Sequence, residues 1–450
     1  MTHALTEVRP SRRQALVAAL GLGLSIEFLG GSAFADAATR KLVVVICRGG
    51  MDGLSVAPPV GDPHYAGLRG AIAIPGFGQP GGALQLDSTF GLHPSLAAVH
   101  RLAAKGEARI VPAVATPDRE RSHFEAQDVL ENGATAAYGV DSGWLNRALQ
   151  AMGPGKAKAI SVGATAPLIL RGPVGVASWS PGPGAGRDPR LPGILQDIYA
   201  QSDPALARAL ATGLSTESMA EVATSDATAA LAQAGPAMDG GQMAATSQTA
   251  PTAAAGAPGA GMMTPPTAGG AAPQPGRQGL PIARQLGATL AGFMIQPGGP
   301  QLAALSIDGF DTHANQGSSQ GQLATRLAYL DATLDGLADG MGPAWKDTVV
   351  VVATEFGRTA RVNGTVGTDH GTASTALLLG GALAKGGIVG DWPTLADGKL
   401  FENRDTAPTL DMRALFKGLL VGQYGLDRRA LDTTVFPDSA AVAPASGIIA

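Results

Sequence analysis

Two carboxylates and an imidazole lie within the six residues Asp308-Gly309-Phe310-Asp311-Thr312-His313. The apolar run Leu302 to Ile307 precedes them and has the length of a buried strand. In an open α/β sheet, ligands bind just beyond the carboxyl ends of the strands, because side chains on the following loops converge there. Aspartate oxygen and histidine nitrogen atoms together suit a divalent cation. We therefore predict that Asp308, Asp311 and His313 are metal ligands, with an ordinary polar turn as the alternative for this segment alone.

Metal-ligating residue types also lie next to three other predicted strands. These are Asp52 after residues 41–47, Glu355 after residues 348–354, and Asp369 with His370 before residues 376–379. Metallohydrolases need such residues at successive strand ends, since their cations neutralise an anionic substrate and lower the pKa of a nucleophile. Any one of these residues has an alternative as ordinary turn chemistry. Their recurrence at strand ends favours a metal site.

Ser122 has two interpretations that the sequence leaves open. It follows the strand predicted over residues 108–114 and precedes Glu125 by three residues, the spacing of a helix capping box. A serine at a helix N-terminus can also attack an anionic ester, because the helix N–H groups help to hold the oxyanions. Three side chains that could assist flank it, namely Arg119, Arg121 and His123. We predict that Arg121 or Arg358 grips the anion through a bidentate guanidinium contact.

Composition limits the class of protein. Of 450 residues, 45% are hydrophobic and 15% are charged, so the chain can build a sizeable core. The formal net charge of -4 provides no basic excess to attract nucleic acid or anionic lipid, and we expect no nucleic-acid partner. The single cysteine, Cys47, excludes an internal disulfide and is expected to be buried.

Residues 1–35 have the features of a cleaved twin-arginine export signal. The pair Arg12-Arg13 precedes an apolar, glycine-rich run from Ala15 to Leu29, and a small-x-small cleavage site ends at Ala35. A membrane anchor is the alternative, but Glu27 leaves an uninterrupted run shorter than the roughly 20 residues that span a bilayer. We expect recognition by the twin-arginine translocase, a periplasmic or extracellular mature protein, and no permanent membrane span.

Between about residues 235 and 279 the composition shifts to Ala, Gly, Pro, Thr, Gln and Met. Such a segment cannot bury enough apolar surface to order itself, so we predict a disordered insertion. Its four methionines could suggest soft-metal binding, but their sparse spacing favours a flexible linker. The rest of residues 36–450 is predicted to be a single domain.

Strands alternate with helices along the chain. Helices are predicted over residues 94–105, 122–132, 144–152, 280–295, 321–337 and 409–421, the last capped by Thr409 and closed at Gly422. Residues 158–162 and 167–171 are predicted to be short strands. Continuous apolar strands imply burial on both faces. We therefore expect an α/β fold, with a doubly wound, mostly parallel sheet sandwiched by helices.

Five motifs, in this order, resemble the bacterial export family called domain of unknown function 1501. They are Arg48-Gly49-Gly50-Met51-Asp52-Gly53, Arg121-Ser122-His123-Phe124-Glu125-Ala126-Gln127-Asp128, Asp308-Gly309-Phe310-Asp311-Thr312-His313, Glu355-Phe356-Gly357-Arg358 and Gly367-Thr368-Asp369-His370-Gly371. The resemblance runs from about Lys41 to Pro437, apart from the insertion. That family is thought to belong to the alkaline-phosphatase-like and sulfatase superfamily. The resemblance therefore implies an alkaline-phosphatase-like, metal-dependent fold without an established substrate.

Carried over by residue, the resemblance also implies individual roles. Metal ligands would be Asp52, Asp308 or Asp311, His313 and His370, and Ser122 would be the nucleophile. One departure concerns Glu355-Phe356, which stands where phosphatases have an Asp-His pair. Phenylalanine cannot coordinate a metal. A second cation would therefore be bound more weakly or be a harder metal ion, or the chain would hold only one cation.

The leading hypothesis is an exported, metal-dependent hydrolase of phosphate or sulfate esters. Its substrate would be a small anionic ester or a sulfated or phosphorylated polymer. Zinc is the favoured cation, with manganese, magnesium and calcium as alternatives. The rival hypothesis is a non-catalytic exported binding protein that retains the fold and a structural metal. The Glu355-Phe356 pair favours the rival, whereas Ser122 and the ligand turns favour the enzyme.

Overall fold

A mixed sheet occupies the centre of the fold. In a computed structural model, the described residues are 39–163, 167–180, part of 211–225, and 279–450. They form β1 (Lys41–Arg48), β2 (Leu84–Gln85), β3 (Gly91–Leu92), β4 (Ala108–Ala115), β5 (Ala159–Val162), β6 (Ala177–Trp179), β7 (Leu302–Asp308), β8 (Thr348–Ala353), β9 (Ser374–Leu379) and β10 (Leu410–Asp411). The predicted export signal and nearly all of the predicted insertion lie outside the described residues.

Eight of these strands form one sheet in the order β10-β4-β9-β8-β1-β7-β5-β6. Strand β9 is antiparallel to both of its neighbours, and the other pairings in this sheet are parallel. The strands β2 and β3 form a separate antiparallel pair. The predicted α/β fold with a mostly parallel sheet is confirmed.

The helices cover both faces of the sheet. They are α1 (Gly53–Val56), α2 (Tyr65–Arg69), α3 (Ala97–Ala104), α4 (His123–Asn132), α5 (Trp144–Met152), α6 (Gly279–Ile295), α7 (Gln322–Met341), α8 (Met412–Tyr424) and α9 (Arg428–Ala430). Three local predictions are wrong. Residues Leu168–Leu170 form a 3-10 turn instead of a strand. Asp411, not Thr409, caps α8 by accepting a hydrogen bond from the Arg413 N–H, and α8 runs past Gly422 to its C-cap at Gly425. Among the described helices, none has the length and apolarity to cross a bilayer.

Strand β1 shows how the two layers are built. Val43, Val45 and Cys47 pack in one core with α6 and α7, whereas Leu42, Val44 and Ile46 pack in the other with α5 and α8. Successive strand side chains point to opposite faces, so an uninterrupted apolar strand must be covered on both sides. The predicted burial of Cys47 is confirmed.

The sheet brings the predicted site segments to one edge. Strands β1, β4, β7 and β8 are mutually parallel, so the loops that follow them start at the same edge, here called the carboxyl edge. Because β9 runs the other way, its first residue, Ser374, pairs with Val114 near the end of β4. The segment that precedes β9 therefore also lies at the carboxyl edge.

His93 should make the stability of the fold pH-dependent. It is fully buried, its Nδ1 accepts from the Ser95 N–H, and its Nε2 lies 3.0 Å from the Ser318 carbonyl oxygen. Burial lowers the His93 pKa to about 4. The pKa of an unfolded histidine is about 6.5. Between this pKa and that of folded His93 the unfolded state binds more protons, so the free energy of unfolding falls as the pH falls. We expect a loss on the order of 3 kcal/mol between pH 7 and pH 4 from this residue.

Urea unfolding in the presence of a chelator, at several pH values, measures this loss without competition from metal binding. His93→Gln removes the titrating group while keeping a side-chain amide, so its unfolding free energy should fall less steeply with acidity. Equal pH profiles for wild type and variant would contradict the prediction.

Candidate metal centre

The loop after β7 presents its ligand types through an alternation of buried and exposed residues. Phe310 and Thr312 are buried, whereas Asp311 and His313 are exposed at the carboxyl edge. Gly49, in the loop after β1, has a φ of 112°, and a Cβ there would lie 2.5 Å from the Asp311 nitrogen. Glycine at this position therefore allows the two loops to approach each other closely.

Four side chains from three segments converge here, and we call His123, Asp311, His313 and His370 the candidate metal centre. The Asp311 Oδ1 atom lies 3.0 Å from His313 Nε2 and 3.4 Å from His370 Nε2, and its Oδ2 atom lies 3.4 Å from His123 Nε2. The two Nε2 atoms of His313 and His370 are 2.9 Å apart. Ligand atoms of His123, Asp311 and His370 all lie within 4.8 Å of one another. His313 is not in that group of three, and we include it because its Nε2 atom contacts Asp311 and His370.

These separations suit a zinc ion. Zinc lies at about 2.0–2.1 Å from histidine nitrogen and carboxylate oxygen, so the edges of a tetrahedral site measure about 3.3 Å. The distances of 3.0, 3.4 and 3.4 Å between the Asp311 oxygens and the three histidine Nε2 atoms are close to that length. The His123 Nε2 atom is buried and finds no hydrogen-bond partner among the described residues. A buried nitrogen without a partner is costly unless an ion or water completes its environment.

The second ring nitrogen of each histidine faces an acceptor. His123 Nδ1 lies 2.8 Å from Glu355 Oε1, His370 Nδ1 lies 2.8 Å from the Arg121 carbonyl oxygen, and His313 Nδ1 lies 3.4 Å from Asp369 Oδ1. Proteins orient metal-ligating histidines in this way, because an acceptor at Nδ1 leaves the Nε2 lone pair for the cation.

Charge and burial also prepare the ligands. Burial acts to raise the Asp311 pKa, but the hydrogen bond and charge of Arg358 outweigh it and hold that pKa below its usual value. Burial lowers the His370 pKa, which favours the neutral ring that a metal requires. The hydrogen bond to Glu355 raises the His123 pKa, so a proton competes with metal there at acidic pH.

Phe356 packs against two of these rings. Its ring centroid lies 4.8 Å from that of His123 and 4.8 Å from that of His370. Gly50 has a φ of 66°, and a Cβ there would lie 2.5 Å from the Phe356 ring. Phe356 therefore provides an apolar surface against which the His123 and His370 rings pack, and it contributes no ligand atom.

A family model described as protein of unknown function (DUF1501) matches residues 39–435. The chain belongs to the DUF1501 family. No curated protein and no solved structure matches the chain significantly. The description of the DUF1501 family names neither a reaction nor a substrate.

The structure separates the predicted ligands into several environments. Asp311, His313 and His370 lie in the candidate metal centre, and Asp369 and Glu355 lie behind it as acceptors for His313 and His123. Asp52 is fully buried elsewhere, where its Oδ2 accepts from Ser55, Arg69 and Gln316. Asp308 is exposed at the end of β7 and is not part of the candidate metal centre.

The predicted catalytic residues make contacts of their own. Ser122 is the N-cap residue of α4, but its hydroxyl donates to the Glu125 carboxylate and its oxygen accepts no hydrogen bond from the N–H groups of the helix. The Arg121 guanidinium contacts Glu402 and Asp405. The sequence prediction did not select His123 as a ligand, although it follows Ser122 directly. The available signal for His123 as a ligand is its imidazole at the helix start that follows the strand predicted over residues 108–114.

The Arg358 guanidinium is wholly engaged inside the protein. Its Nε donates to the Gly50 carbonyl at 2.7 Å, its Nη1 to the Thr368 carbonyl at 3.0 Å, and its Nη2 to the Gly49 carbonyl at 2.6 Å. Nη2 also donates to Asp311. The residue is 1% exposed, so these contacts leave it to orient Asp311 and to join the loops.

Arg358→Met should lower the free energy of unfolding by about 3 kcal/mol, because several buried carbonyl groups and Asp311 lose their donor. Arg358→Lys should recover only part of this, since one ammonium cannot reproduce the planar fork. Urea denaturation in chelator measures both. Arg361→Met, at an exposed arginine nearby, is the control and should change stability by less than about 0.5 kcal/mol. Equal stabilities of the Arg358→Met and Arg361→Met variants would contradict the assignment.

Proposed function

We propose that this protein is a metal-dependent hydrolase whose single divalent cation is held by His123, Asp311, His313 and His370. One observation carries the proposal: three Nε2 atoms surround one carboxylate while each Nδ1 atom faces an acceptor. Three nitrogens and one oxygen form a ligand set that favours zinc over magnesium or calcium.

A hydrolytic role is supported by access and by a neighbouring nucleophile. The side chains of Asp311 and His313 are 42% and 45% exposed, so the centre is open to a small molecule. When bound, a divalent cation would polarise an ester oxygen and stabilise a leaving alkoxide. Ser122 adjoins His123 in sequence, and the Glu125 carboxylate that accepts its hydroxyl proton is placed to take that proton as the oxygen attacks.

We propose a phosphate or sulfate ester as the substrate class, in keeping with the resemblance to the alkaline-phosphatase-like and sulfatase superfamily. The proposal differs from the sequence prediction in how the anion is bound. Arg121 and Arg358 use their guanidinium groups within the protein, so the cation itself would provide the positive charge facing the ester.

The engagement of Arg121 and Arg358 within the protein favours a second candidate, a non-catalytic exported binding protein with a structural metal. With both arginines engaged and Ser122 bonded to Glu125, the centre offers few free groups for catalysis. Four protein ligands would fill a tetrahedral zinc site, so the hydrolase needs a fifth position for the ester oxygen. The exposure of Asp311 and His313 favours the hydrolase, because it leaves that side of the centre accessible to such a fifth ligand.

The test is an assay of the zinc-loaded protein against phosphate and sulfate monoesters, with metal content measured on the same sample. We expect one zinc ion per chain and turnover of at least one ester class, both lost in His370→Ala. Zinc binding without turnover of any ester would favour the binding protein.

We propose export through the twin-arginine route, on the basis of the Arg12-Arg13 pair and the apolar run after it. A reporter fused to residues 1–40 should cross the cytoplasmic membrane, and the double substitution Arg12→Lys, Arg13→Lys should retain it. Cell fractionation measures the outcome. Export of the double variant through the general secretory route would contradict the proposal.

A further inference from the structure

A buried polar cluster lies apart from the metal ligands and is not used by the proposed reaction. It contains a buried ion pair between Asp52 and Arg69, whose side chains are 1% and 0% exposed. Ser55 donates to Asp52 Oδ2 at 2.8 Å, and Gln316, also fully buried, donates to the same oxygen at 2.6 Å. A buried charge pair of this kind is weak evidence for stability, so its position needs another explanation.

The Gln316 amide joins this ion pair to two loops. Its Nε2 group donates to Asp52, and its Oε1 atom accepts from the Thr312 hydroxyl at 2.9 Å and from the Thr368 hydroxyl at 2.8 Å. The Thr368 N–H also donates to the Thr312 carbonyl at 3.2 Å. One amide therefore uses its donor end on the ion pair and its acceptor end on both threonines.

Both threonines adjoin metal ligands. Thr312 lies between Asp311 and His313, and Thr368 lies two residues before His370. The loop that contains Thr312 and His313 is not part of a helix or strand, and neither is the segment before His370. Backbone hydrogen bonds join the two segments directly, such as the Gln316 N–H to the Val366 carbonyl at 3.0 Å. The threonine hydroxyls add the contacts that tie both segments to the Gln316 amide.

The ion pair extends the connection to a third segment. Arg69 Nη1 donates to the Thr359 carbonyl at 3.1 Å, immediately after Arg358, which itself donates to Asp311. The loops after β7 and β8 and the segment before β9 are thus all joined through the Asp52–Arg69 pair and Gln316.

We propose that Gln316 is a positioning residue of the metal centre, and that Asp52 acts on the metal through Gln316 and not as a ligand. The inference rests on the proposed metal centre. An amide is required at position 316 because one end must donate to a carboxylate while the other accepts from two hydroxyls. Glutamate would place two carboxylates against each other. Methionine would remove one of the three donors to Asp52 and take the acceptor from both threonine hydroxyls.

The experiment measures Zn²⁺ affinity by competition with a chromophoric chelator, and the melting temperature of the metal-free protein, for each variant. Gln316→Met should bind Zn²⁺ about 10–100-fold more weakly, the usual cost of losing an orienting partner of a metal site. Thr368→Val removes one hydroxyl donor and should lose about tenfold at the low end of that range. If Gln316→Met does not fold, the Thr368→Val variant provides the test of the proposal.

Asn146→Leu is the matched control. Asn146 is a fully buried amide that donates to the Leu170 and Val174 carbonyls, so its loss should lower the melting temperature while leaving Zn²⁺ affinity within about twofold. The visible spectrum of Co²⁺ bound in place of Zn²⁺ reports ligand geometry. It should change in Gln316→Met and remain as in wild type in Asn146→Leu.

A double-mutant cycle tests the role of Asp52. If Asp52 acts through Gln316, the double variant Asp52→Asn, Gln316→Met should lose no more affinity than the weaker-binding single variant. Additive losses would overturn that role. Wild-type affinity in both Gln316→Met and Thr368→Val would overturn the positioning proposal alone, whereas a wild type that binds no Zn²⁺ would overturn the proposed metal centre.

Discussion

Removing the metal should lower the free energy of unfolding of the wild-type protein by about 4 kcal/mol when Zn²⁺ is present at about a thousandfold excess over its dissociation constant. A ligand that binds only the folded state stabilises it in proportion to the logarithm of that excess. Alanine at His370 removes one of the converging nitrogen atoms. The His370→Ala variant should therefore contain little zinc, and chelator should leave its unfolding curve nearly unchanged.

Urea denaturation with and without chelator, together with elemental analysis, measures both effects. His100→Ala is the matched control, because the His100 ring lies 3.0 Å from the Gln85 carbonyl and is not in the ligand group. It should keep both the zinc and the response to chelator. If chelation shifts none of the three proteins and no cation copurifies, the metal-dependent proposal is wrong.

Ser122→Ala should abolish ester turnover, with a fall in kcat of about a thousandfold or more, while zinc content stays at the wild-type level. Ser122, which precedes His123 in the sequence, is the proposed nucleophile and is not one of the proposed metal ligands. Its stability cost should be about 1 kcal/mol or less, the usual range for a lost N-cap. The lower end is expected, since the hydroxyl donates to Glu125 and makes no hydrogen bond to the helix backbone.

Steady-state kinetics and zinc analysis on the same preparations test this role. Glu125→Gln keeps the side-chain size and removes the proton acceptor, so it should lower kcat less than Ser122→Ala does. Unchanged kcat in Ser122→Ala would assign the serine to helix capping and leave a water molecule as the nucleophile.

The main strands could be predicted because each carries a continuous apolar run. Residues 348–354 were predicted as a strand and β8 spans Thr348–Ala353, with every residue buried. Local cues were weaker where several backbone forms fit. Residues 167–171 were predicted as a strand, but Leu168–Leu170 form a 3-10 turn in which the Leu170 N–H donates to the Pro167 carbonyl, a contact that apolar composition does not reveal.

The ligand types were predictable, but their grouping depended on tertiary contacts. Asp311 and His370 could be selected because each adjoins a predicted strand. The sequence indicates His123 only as a side chain that could assist Ser122, and nothing in its local pattern shows that its ring meets Asp311 and His370. Asp52 was predicted as a ligand, yet Arg69 on α2 and Gln316 after β7 surround it with donors. No local pattern around Asp52 indicates that those two distant residues meet it.

The antiparallel direction of β9 has a kinetic consequence. His370 reaches the centre only because β9 inserts between β4 and β8, and His123 and Asp311 arrive from two other distant segments. Bringing such remote segments together comes late in folding, because the entropy of closing long loops must first be offset. The cation should therefore bind after the rate-limiting barrier, slowing unfolding while leaving the refolding rate nearly unchanged. On this basis, the proposed cation would stabilise the folded sheet without taking part in the nucleation of folding.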